Sequence, residues 1–229
     1  RLRGNHTLLG RHDCPVTVAS DSVVDVSPAS TFNGPVLVEA GGRLRLPGAQ
    51  ILTLNNVLTN YGTIELGSRS STTASYARFQ GSGRVVNAGL IQVSAESVQF
   101  NTRGEAQIFV PLEVVAGSRL WVQDNAYLAL YVGELRNAGV LEIGSGAELR
   151  VFGPNARITA VAGNQMVGTG TLVVYDTPLK LEVDVDLVWT LSGRPQLTGP
   201  GVLRLRGNHT LLGQHDCPVT VASDSVVDV

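Results

Sequence analysis

Short stretches in which apolar and polar residues alternate follow one another along the chain, as in VLVEAGGRLRL (36–46) and LTNYGTIEL (58–66). Alternation with a period of two places the apolar side chains on one face of a β-strand. The 3.6-residue period of an amphipathic helix is sustained nowhere, and Gly, Asn and Pro interrupt the stretches at short intervals. The pattern therefore predicts an all-β protein built from many short strands.

Two motifs recur, and each predicts a strand, a turn and a second strand. The first, apolar-x-[Asn/Gly]-x-Gly-x-apolar-x-apolar, is found at 58–66, 85–93, 135–143, 166–174 and 197–205. The second has Pro-apolar-x-apolar, five further residues and then apolar-x-apolar, and it is found at 15–26, 35–46, 111–122 and 178–189.

The first motif supplies the predicted turn positions. They are Gly62, Gly89, Gly139, Gly170 and Gly201, with Asn60, Asn87 and Asn137 two residues before three of them. We expect a positive φ at these glycines, since glycine adopts that conformation without steric cost. If the turns lie above one another, equivalent asparagines can stack and share side-chain hydrogen bonds.

The spacing of the first motif favours stacked coils. Leu135, Met166 and Leu197 are each 31 apart in the numbering, and Leu58 and Val85 are 27 apart. Intervals of this size are typical of solenoids and propellers. A β-sandwich would need many hairpins, but Asn-Gly occurs once, at Asn33-Gly34, and Asp-Gly does not occur. We predict a parallel β-solenoid, with the sandwich and the propeller as alternatives. Coils of about 29 residues give roughly seven coils between positions 1 and 203.

The chain contains the same segment twice. Residues 1–26 and 204–229 differ only where Arg11 is replaced by Gln214. A fold alone would not keep solvated polar positions such as Asn5 and Asp13 identical, so the match indicates duplication. We predict that residues 1–203 are one full period of a tandem array and that residues 204–229 begin the next.

Composition narrows the class of function. Hydrophobic residues make up 43% of the chain and aromatic residues only 5%, so the core must be aliphatic. The net charge is −2 and there is no basic run, which argues against a nucleic-acid partner. No apolar run approaches the ~18 residues of a membrane span.

All histidines and cysteines lie in the duplicated segment. His6, His12 and Cys14 are therefore the candidates for a metal site, since imidazole and thiolate are Zn²⁺ ligands. Neither Cys-x-x-Cys nor His-x-x-x-His spacing supports such a site, so we assign no metal and no cofactor; the alternative is a solvated loop. Across seven coils of about 4.8 Å, Cys14 and Cys217 would lie about 34 Å apart, too far for a disulfide.

Two further features have a functional and a structural interpretation. Glu182, Asp184 and Asp186 place three carboxylates on one face of a strand, which could hold Ca²⁺ or a substrate or could simply face solvent. Asn5-His6-Thr7 and Asn208-His209-Thr210 are N-glycosylation acceptor sequences, which would matter only in a eukaryotic secretory setting.

The stretches LRNAGVLEIGSGAELRVFG (135–153) and LTNYGTIELGS (58–68) resemble coils of bacterial secreted β-helix proteins, namely filamentous-haemagglutinin-type adhesins and autotransporter passengers. The resemblance implies a right-handed parallel β-helix on a large cell-surface or secreted protein, acting in adhesion or as a rigid stalk.

We therefore expect a non-enzymatic, extracellular filament module. Its expected partners are further copies, joined end to end through β edges, and a carbohydrate or protein of a host surface or matrix. The alternatives are a β-helix polysaccharide lyase or hydrolase and a carbohydrate- or ice-binding surface.

Overall fold

A computed structural model of the chain gives the fold. It describes residues 1–48, 50–68, 76–95, 105–131, 134–152, 157–160, 164–175, 180–183, 196–198, 202–205, 208–210, 219–221, 223 and 226–228. These residues form strands and turns, and no helix is present among them. The all-β class is therefore confirmed.

The strands belong to three large sheets, which we call sheets I, II and III. Sheet I contains β1 (Asn5–Leu8), β4 (Val23–Val26), β7 (Arg43–Leu46), β10 (Thr63–Ser68), β13 (Leu90–Ala95), β16 (Arg119–Val122), β19 (Val140–Ile143) and β22 (Gln165–Gly168). Sheet II contains β2 (Arg11–His12), β5 (Ser30–Phe32), β8 (Ile51–Leu54), β11 (Ala77–Gln80), β14 (Glu105–Ile108), β17 (Tyr127–Leu130), β20 (Glu148–Phe152), β23 (Thr171–Tyr175) and β25 (Gln196–Thr198). Sheet III contains β3 (Val16–Val18), β6 (Val36–Val38), β9 (Val57–Asn60), β12 (Arg84–Asn87), β15 (Leu112–Val114), β18 (Glu134–Asn137), β21 (Arg157–Ala160), β24 (Lys180–Val183), β26 (Val202–Leu205) and β28 (Val219–Val221). The remaining strands, β27 (Asn208–Thr210) and β29 (Val226–Asp228), pair with each other.

The chain visits the three sheets in a fixed rotation. From β1 to β24, a strand of sheet I is followed by one of sheet II and then one of sheet III, and the next strand of sheet I lies parallel beside the previous one. Each rotation is one coil, and every described pairing is between strands of successive coils. The parallel β-solenoid is therefore confirmed, with three sides.

The number of coils is higher than expected. Val16 in β3 and Val219 in β28 hold the same place in the two copies of the duplicated segment, and nine pairing steps separate them in sheet III. A period therefore holds nine coils rather than seven, with a mean of about 23 residues each, near the lower end of the range for solenoid repeats. Coil length varies. The coil between the paired residues Leu203 and Val219 is short, and the coil between Ile91 and Leu120 is long.

The spacing of the first motif overestimates the length of a coil, because the motif occurs at all three corners. The copy at 135–143 joins sheet III to sheet I, the copy at 166–174 joins sheet I to sheet II, and the copy at 197–205 joins sheet II to sheet III. Each interval between these copies therefore contains one coil plus one further side of the solenoid.

The core is a set of aliphatic ladders. In sheet I, the inward positions Leu44, Ile64, Ile91 and Leu120 lie directly beside one another in successive coils, and all are fully buried. Because inward positions repeat in register, each apolar side chain packs against its counterparts in the coils on either side. Few aromatic residues are needed, and Phe32 and Phe79 are among those buried.

The corners between sheets III and I have two forms. The second motif makes a turn with positive φ at Asp21 or Gly41, closed by a hydrogen bond such as that from Gly42 N to Glu39 O at 2.9 Å. The first motif makes a shorter corner through Asn-x-Gly, as at Asn60 and Gly62.

The prediction that the turn glycines of the first motif have a positive φ is wrong. Gly62, Gly89, Gly139 and Gly170 do not have positive φ, and Gly201 lies outside the described residues. They lie so close to the previous coil that a side chain would collide with it. A Cβ on Gly62 would lie 2.5 Å from Glu39 O, and one on Gly139 would lie 2.6 Å from Val115 O. Glycine is required here by close backbone approach.

The second copy of the duplicated segment repeats the pairings of the first. Leu2 pairs with Val18, and Leu205 pairs with Val221. In the same way, Asn5–Thr7 pair with Val23–Asp25, and Asn208–Thr210 pair with Val226–Asp228. Nine coils later, the described strands of the second copy therefore pair as those of the first copy do.

We expect Gly89→Ala to destabilise the protein by about 3 kcal/mol, because its Cβ would be 2.7 Å from the Tyr61 carbonyl carbon. Gly117→Ala is the matched control. Nothing lies within 4 Å of its Cβ, and its φ of 80° leaves a cost of about 1 kcal/mol. Denaturant-induced unfolding measures both, and equal losses would contradict the close-approach explanation.

Candidate functional site

Buried asparagines stack along the corner between sheets III and I. Asn60 and Asn87 are fully buried, and Asn60 Nδ2 donates to Asn87 Oδ1 at 2.7 Å and to Leu90 O at 3.0 Å. Asn60 Oδ1 accepts from Gly62 N at 3.1 Å. Each side chain therefore closes its own corner and bonds to the next coil, which satisfies polar groups that would be costly to bury alone.

The stack is interrupted and then resumes. In the coil after Asn87 the equivalent position is Val114, so Asn87 Nδ2 donates instead to Arg119 O at 2.9 Å. Ser118 Oγ donates to Asn87 O at 2.8 Å in the same place. One coil later Asn137 resumes the stack, and its Nδ2 donates to Asn164 Oδ1. Asn164 is buried and was not among the predicted positions.

We expect Asn87→Ala to destabilise the protein by about 2–4 kcal/mol, because Gly89 N and Arg119 O would lose their partners inside the protein. Asn55→Ala is the control. Asn55 is exposed and donates to Asn33 Oδ1 at 2.7 Å, so its loss should change stability by less than about 0.5 kcal/mol. Thermal or denaturant unfolding compares the two, and similar losses would contradict a stabilising role for the buried stack.

The structure separates the candidate metal ligands. His6 lies on β1 in sheet I with Nε2 2.6 Å from Arg3 O, whereas His12 lies on β2 in sheet II with its ring centroid 5.1 Å from that of Phe32. Cys14 is an exposed free thiol at the corner before β3. In the part of the chain that the structure describes, no three His, Cys, Asp or Glu side chains converge on a point.

The other predicted candidates are only partly described. Asn5 is exposed on β1, and Asn208 has the equivalent place on β27. Glu182 lies on β24 between Thr159 and Arg204 in the sheet III register. Asp184, Asp186 and Cys217 lie outside the described residues. The strands β3 and β28, which follow the two cysteine positions in the sequence, lie nine coils apart, or about 43 Å along the axis.

A polar cluster lies on the outer face of sheet II, and we call it the sheet II network. Its centre is Glu105, which is 9% exposed. Gln107 Nε2 donates to Glu105 Oε1 at 2.8 Å, and Arg78 Nε donates to Gln107 Oε1 at 2.9 Å. Tyr131 OH donates to Glu105 Oε1 at 3.3 Å.

Arg150 connects the network to a second carboxylate. Its NH1 lies 3.2 Å from Glu105 Oε2, and its Nε lies 2.8 Å from Glu148 Oε2. Its guanidinium carbon also lies 4.4 Å from the ring centroid of the buried Tyr127, a cation–π distance. One arginine thus contacts two carboxylates and an aromatic face across three coils.

An aromatic stack borders this network. The rings of Phe109 and Tyr131, and of Tyr131 and Phe152, have centroids 4.7 Å apart and are inclined by only 2° and 7°. Arg78 lies over the outer face of Phe109 at 4.9 Å. Tyr131 is the middle ring of this stack. Because the ring faces cover each other, the stack offers few free faces to a sugar.

The chemistry of the sheet II network is that of a stabilising cluster. Arg150 forms an ion pair with each of the two carboxylates. Burial first, and then the neighbouring Glu105 carboxylate, raise the pKa of Tyr131 above the ordinary tyrosine value of about 10. Tyr131 is therefore a neutral hydrogen-bond donor at neutral pH.

Local sequence patterns do not reveal this network. Glu105 and Arg150 are 45 residues apart, and only the stacking of β14, β17 and β20 brings them together. The one available signal is the spacing of Phe109, Tyr131 and Phe152, which follow one another at nearly equal intervals, each close to one coil.

A shallow groove lies on the outer face of sheet III where β12, β15 and β18 lie side by side. Arg84, Pro111, Glu113, Glu134 and Arg136 are among the residues that line it. Arg136 Nε lies 4.0 Å from Glu113 Oε1, and Thr159 Oγ1 donates to Glu134 Oε1 at 2.6 Å. The two arginines are balanced by two glutamates, so the groove has no dominant charge.

The fold defines the class of the protein as a three-sided parallel β-solenoid with an internal asparagine stack. Comparisons of the chain with protein-family models, with curated proteins and with solved structures find no match. Among the described residues there is also no helix that is long and apolar enough to cross a membrane.

We expect Tyr131→Phe to reduce the loss of stability at alkaline pH. Unfolded tyrosine loses its proton near pH 10, while folded Tyr131 keeps it to higher pH, so its contribution is complete below pH 10 and is lost as pH rises. Denaturation midpoints between pH 9 and pH 12 measure this loss. Tyr61→Phe, at an exposed tyrosine, is the control and should behave like the unaltered chain. An unchanged alkaline loss in Tyr131→Phe would contradict the prediction.

Proposed function

We propose that this chain is a structural or adhesive module of a long extracellular filament, non-enzymatic, in which coils stack end to end into a stiff rod. The observation that carries the proposal is the return of the same pairings in the second copy of the duplicated segment. Leu205 meets Val221 as Leu2 meets Val18, so a further period can continue in the same register.

The packing supports a mechanical role. Stability in a solenoid is close to a sum over neighbouring coils, so length can grow by adding periods without a new core. The core is continuous from coil to coil, as the fully buried series Leu44, Ile64, Ile91 and Leu120 illustrates. A rod of this kind resists bending because hydrogen bonds run along its axis.

The ion pairs on the outer faces are consistent with a structural role. Opposite charges pair between coils, as where Arg45 donates to Asp25 Oδ1 at 2.6 Å and to Asp25 Oδ2 at 2.8 Å. The carboxylates Glu105 and Glu148 are both engaged by Arg150. The extracellular location and the adhesive role rest on the resemblance of residues 135–153 and 58–68 to secreted β-helix proteins.

We expect a chain with one additional period to be longer by about 43 Å, since nine further coils rise by about 4.8 Å each. Small-angle scattering and electron microscopy of the two chains measure the difference, with the unextended chain as the reference. Fibre diffraction should show the same repeat with a layer line at about 4.8 Å. Separate beads joined by linkers, or an unchanged length, would overturn the proposal.

A further inference from the structure

The groove on the outer face of sheet III owes its shape to Pro111. Pairing of β12, β15 and β18 places Arg84, Pro111 and Glu134 at the same outward position of three successive coils. The compact ring of Pro111 therefore lies between two long side chains, which leaves a cavity of about 180 Å³ above it. Arg84 and Glu134 are two coils apart, or about 9.6 Å, and they border the cavity on opposite sides.

The charged side chains of this groove are not hydrogen-bonded to one another. On sheet I, by contrast, Arg45 donates to the two oxygens of Asp25 at 2.6 Å and 2.8 Å. In the groove, Arg136 Nε lies 4.0 Å from Glu113 Oε1, which is beyond hydrogen-bond distance. Within the part of the chain that the structure describes, the side chains of Arg84, Glu113 and Arg136 make no hydrogen bond. The groove therefore presents donors and acceptors that a ligand can use.

We propose that this groove binds one residue of a neutral saccharide, a hexopyranose. The inference rests on the proposed adhesive role of the chain, and it names a site and a class of ligand for that role.

The mixture of donors and acceptors in the groove matches the hydroxyl groups of a sugar. A guanidinium only donates hydrogen bonds and a carboxylate only accepts them, whereas a hydroxyl does both. Each hydroxyl of a bound sugar can therefore accept from Arg84 or Arg136 and donate to Glu113 or Glu134. Each such bond has one charged partner, and bonds of this kind are stronger than bonds between neutral groups.

The charges and the backbone of the groove disfavour other classes of ligand. Two arginines and two glutamates leave the groove without net charge, so a sulfated or carboxylated saccharide would be repelled by the glutamates as well as attracted by the arginines. A peptide is disfavoured for a different reason. Strands β12, β15 and β18 are each paired on both sides, so they offer no free edge to an added peptide strand.

The size and the floor of the groove suit a single sugar residue. Pockets for drug-sized ligands occupy about 300–1,000 Å³, and this cavity is smaller. The exposed ring of Pro111 offers an apolar floor to the C–H groups of a pyranose. Because the groove is shallow, part of the sugar stays in water and binding should be weak, which adhesion through several linked sites can accommodate.

Saturation-transfer NMR on the whole chain tests the proposal with three neutral probes, the methyl glycosides of glucose, galactose and mannose. We expect at least one of them to receive saturation, and a chemical-shift titration then gives its dissociation constant. Absence of saturation transfer to all three would overturn the proposal. Galacturonate and alanine are the ionic and zwitterionic competitors, and tighter binding of either one than of the best glycoside would also overturn it.

Substitutions in the groove locate the site. Arg84→Gln and Glu113→Gln each remove one charge at the surface, and each should weaken binding of the best glycoside by at least about fivefold. Arg43→Gln is the matched control, because Arg43 is 60% exposed on sheet I, outside the groove. Its affinity should stay within about twofold of the unaltered chain, since an exposed ion pair contributes little. Equal affinities in all of these chains would place the sugar elsewhere and would contradict the proposal.

The outcomes separate this inference from the proposed function. The length of a chain with an additional period is measured without any sugar, so an increase of about 43 Å would support the rod even if no glycoside binds. An unchanged length together with binding that Arg84→Gln weakens would overturn the filament and leave the saccharide site standing.

Discussion

Parallel, in-register pairing between successive coils is the constraint on which the structure depends. Each interior strand is hydrogen-bonded to the strand one coil before it and to the strand one coil after it, so the paired residues of these strands lie beside their positional counterparts. This single condition produces the aliphatic ladders, the contact between Asn60 and Asn87, and the ion pair between Asp25 and Arg45. A side chain is tolerated if it packs or bonds with the side chains at the equivalent positions of the neighbouring coils.

The corners show how strictly this condition acts on the backbone. A turn with positive φ at Gly41 is followed in the next coil by the Asn-x-Gly corner of Asn60 and Gly62. Gly62 lies against the carbonyl of Glu39 from the earlier turn, which leaves no room for a Cβ. The two corner forms are therefore not independent, because the shape of one coil decides which residues the next can carry.

Variation in coil length does not disturb the pairing of the described strands. The longest coils insert their additional residues between β10 and β11 and between β13 and β14, while the pairings on either side stay in register. The sheet II network begins beside these insertions and keeps Glu105, Arg150 and Tyr131 bonded to one another. The duplicated segment contains the shortest coil, and the described strands of its two copies form the same pairings.

Alternation of apolar and polar residues is a local property, so the sequence by itself determined the strands, the parallel solenoid, the aliphatic core and the corner positions of Asn60, Asn87 and Asn137. The coil number could not be read in the same way. The same corner motif occurs at all three corners, so the interval between two copies can contain one whole coil plus one further side of the solenoid. The need for glycine at Gly62, Gly89 and Gly139 also arises between coils, from carbonyl groups of the preceding coil that only the fold brings near. The sheet II network joins residues up to 45 positions apart, and only the closure of each coil, which sets the register, decides that Glu105 meets Arg150.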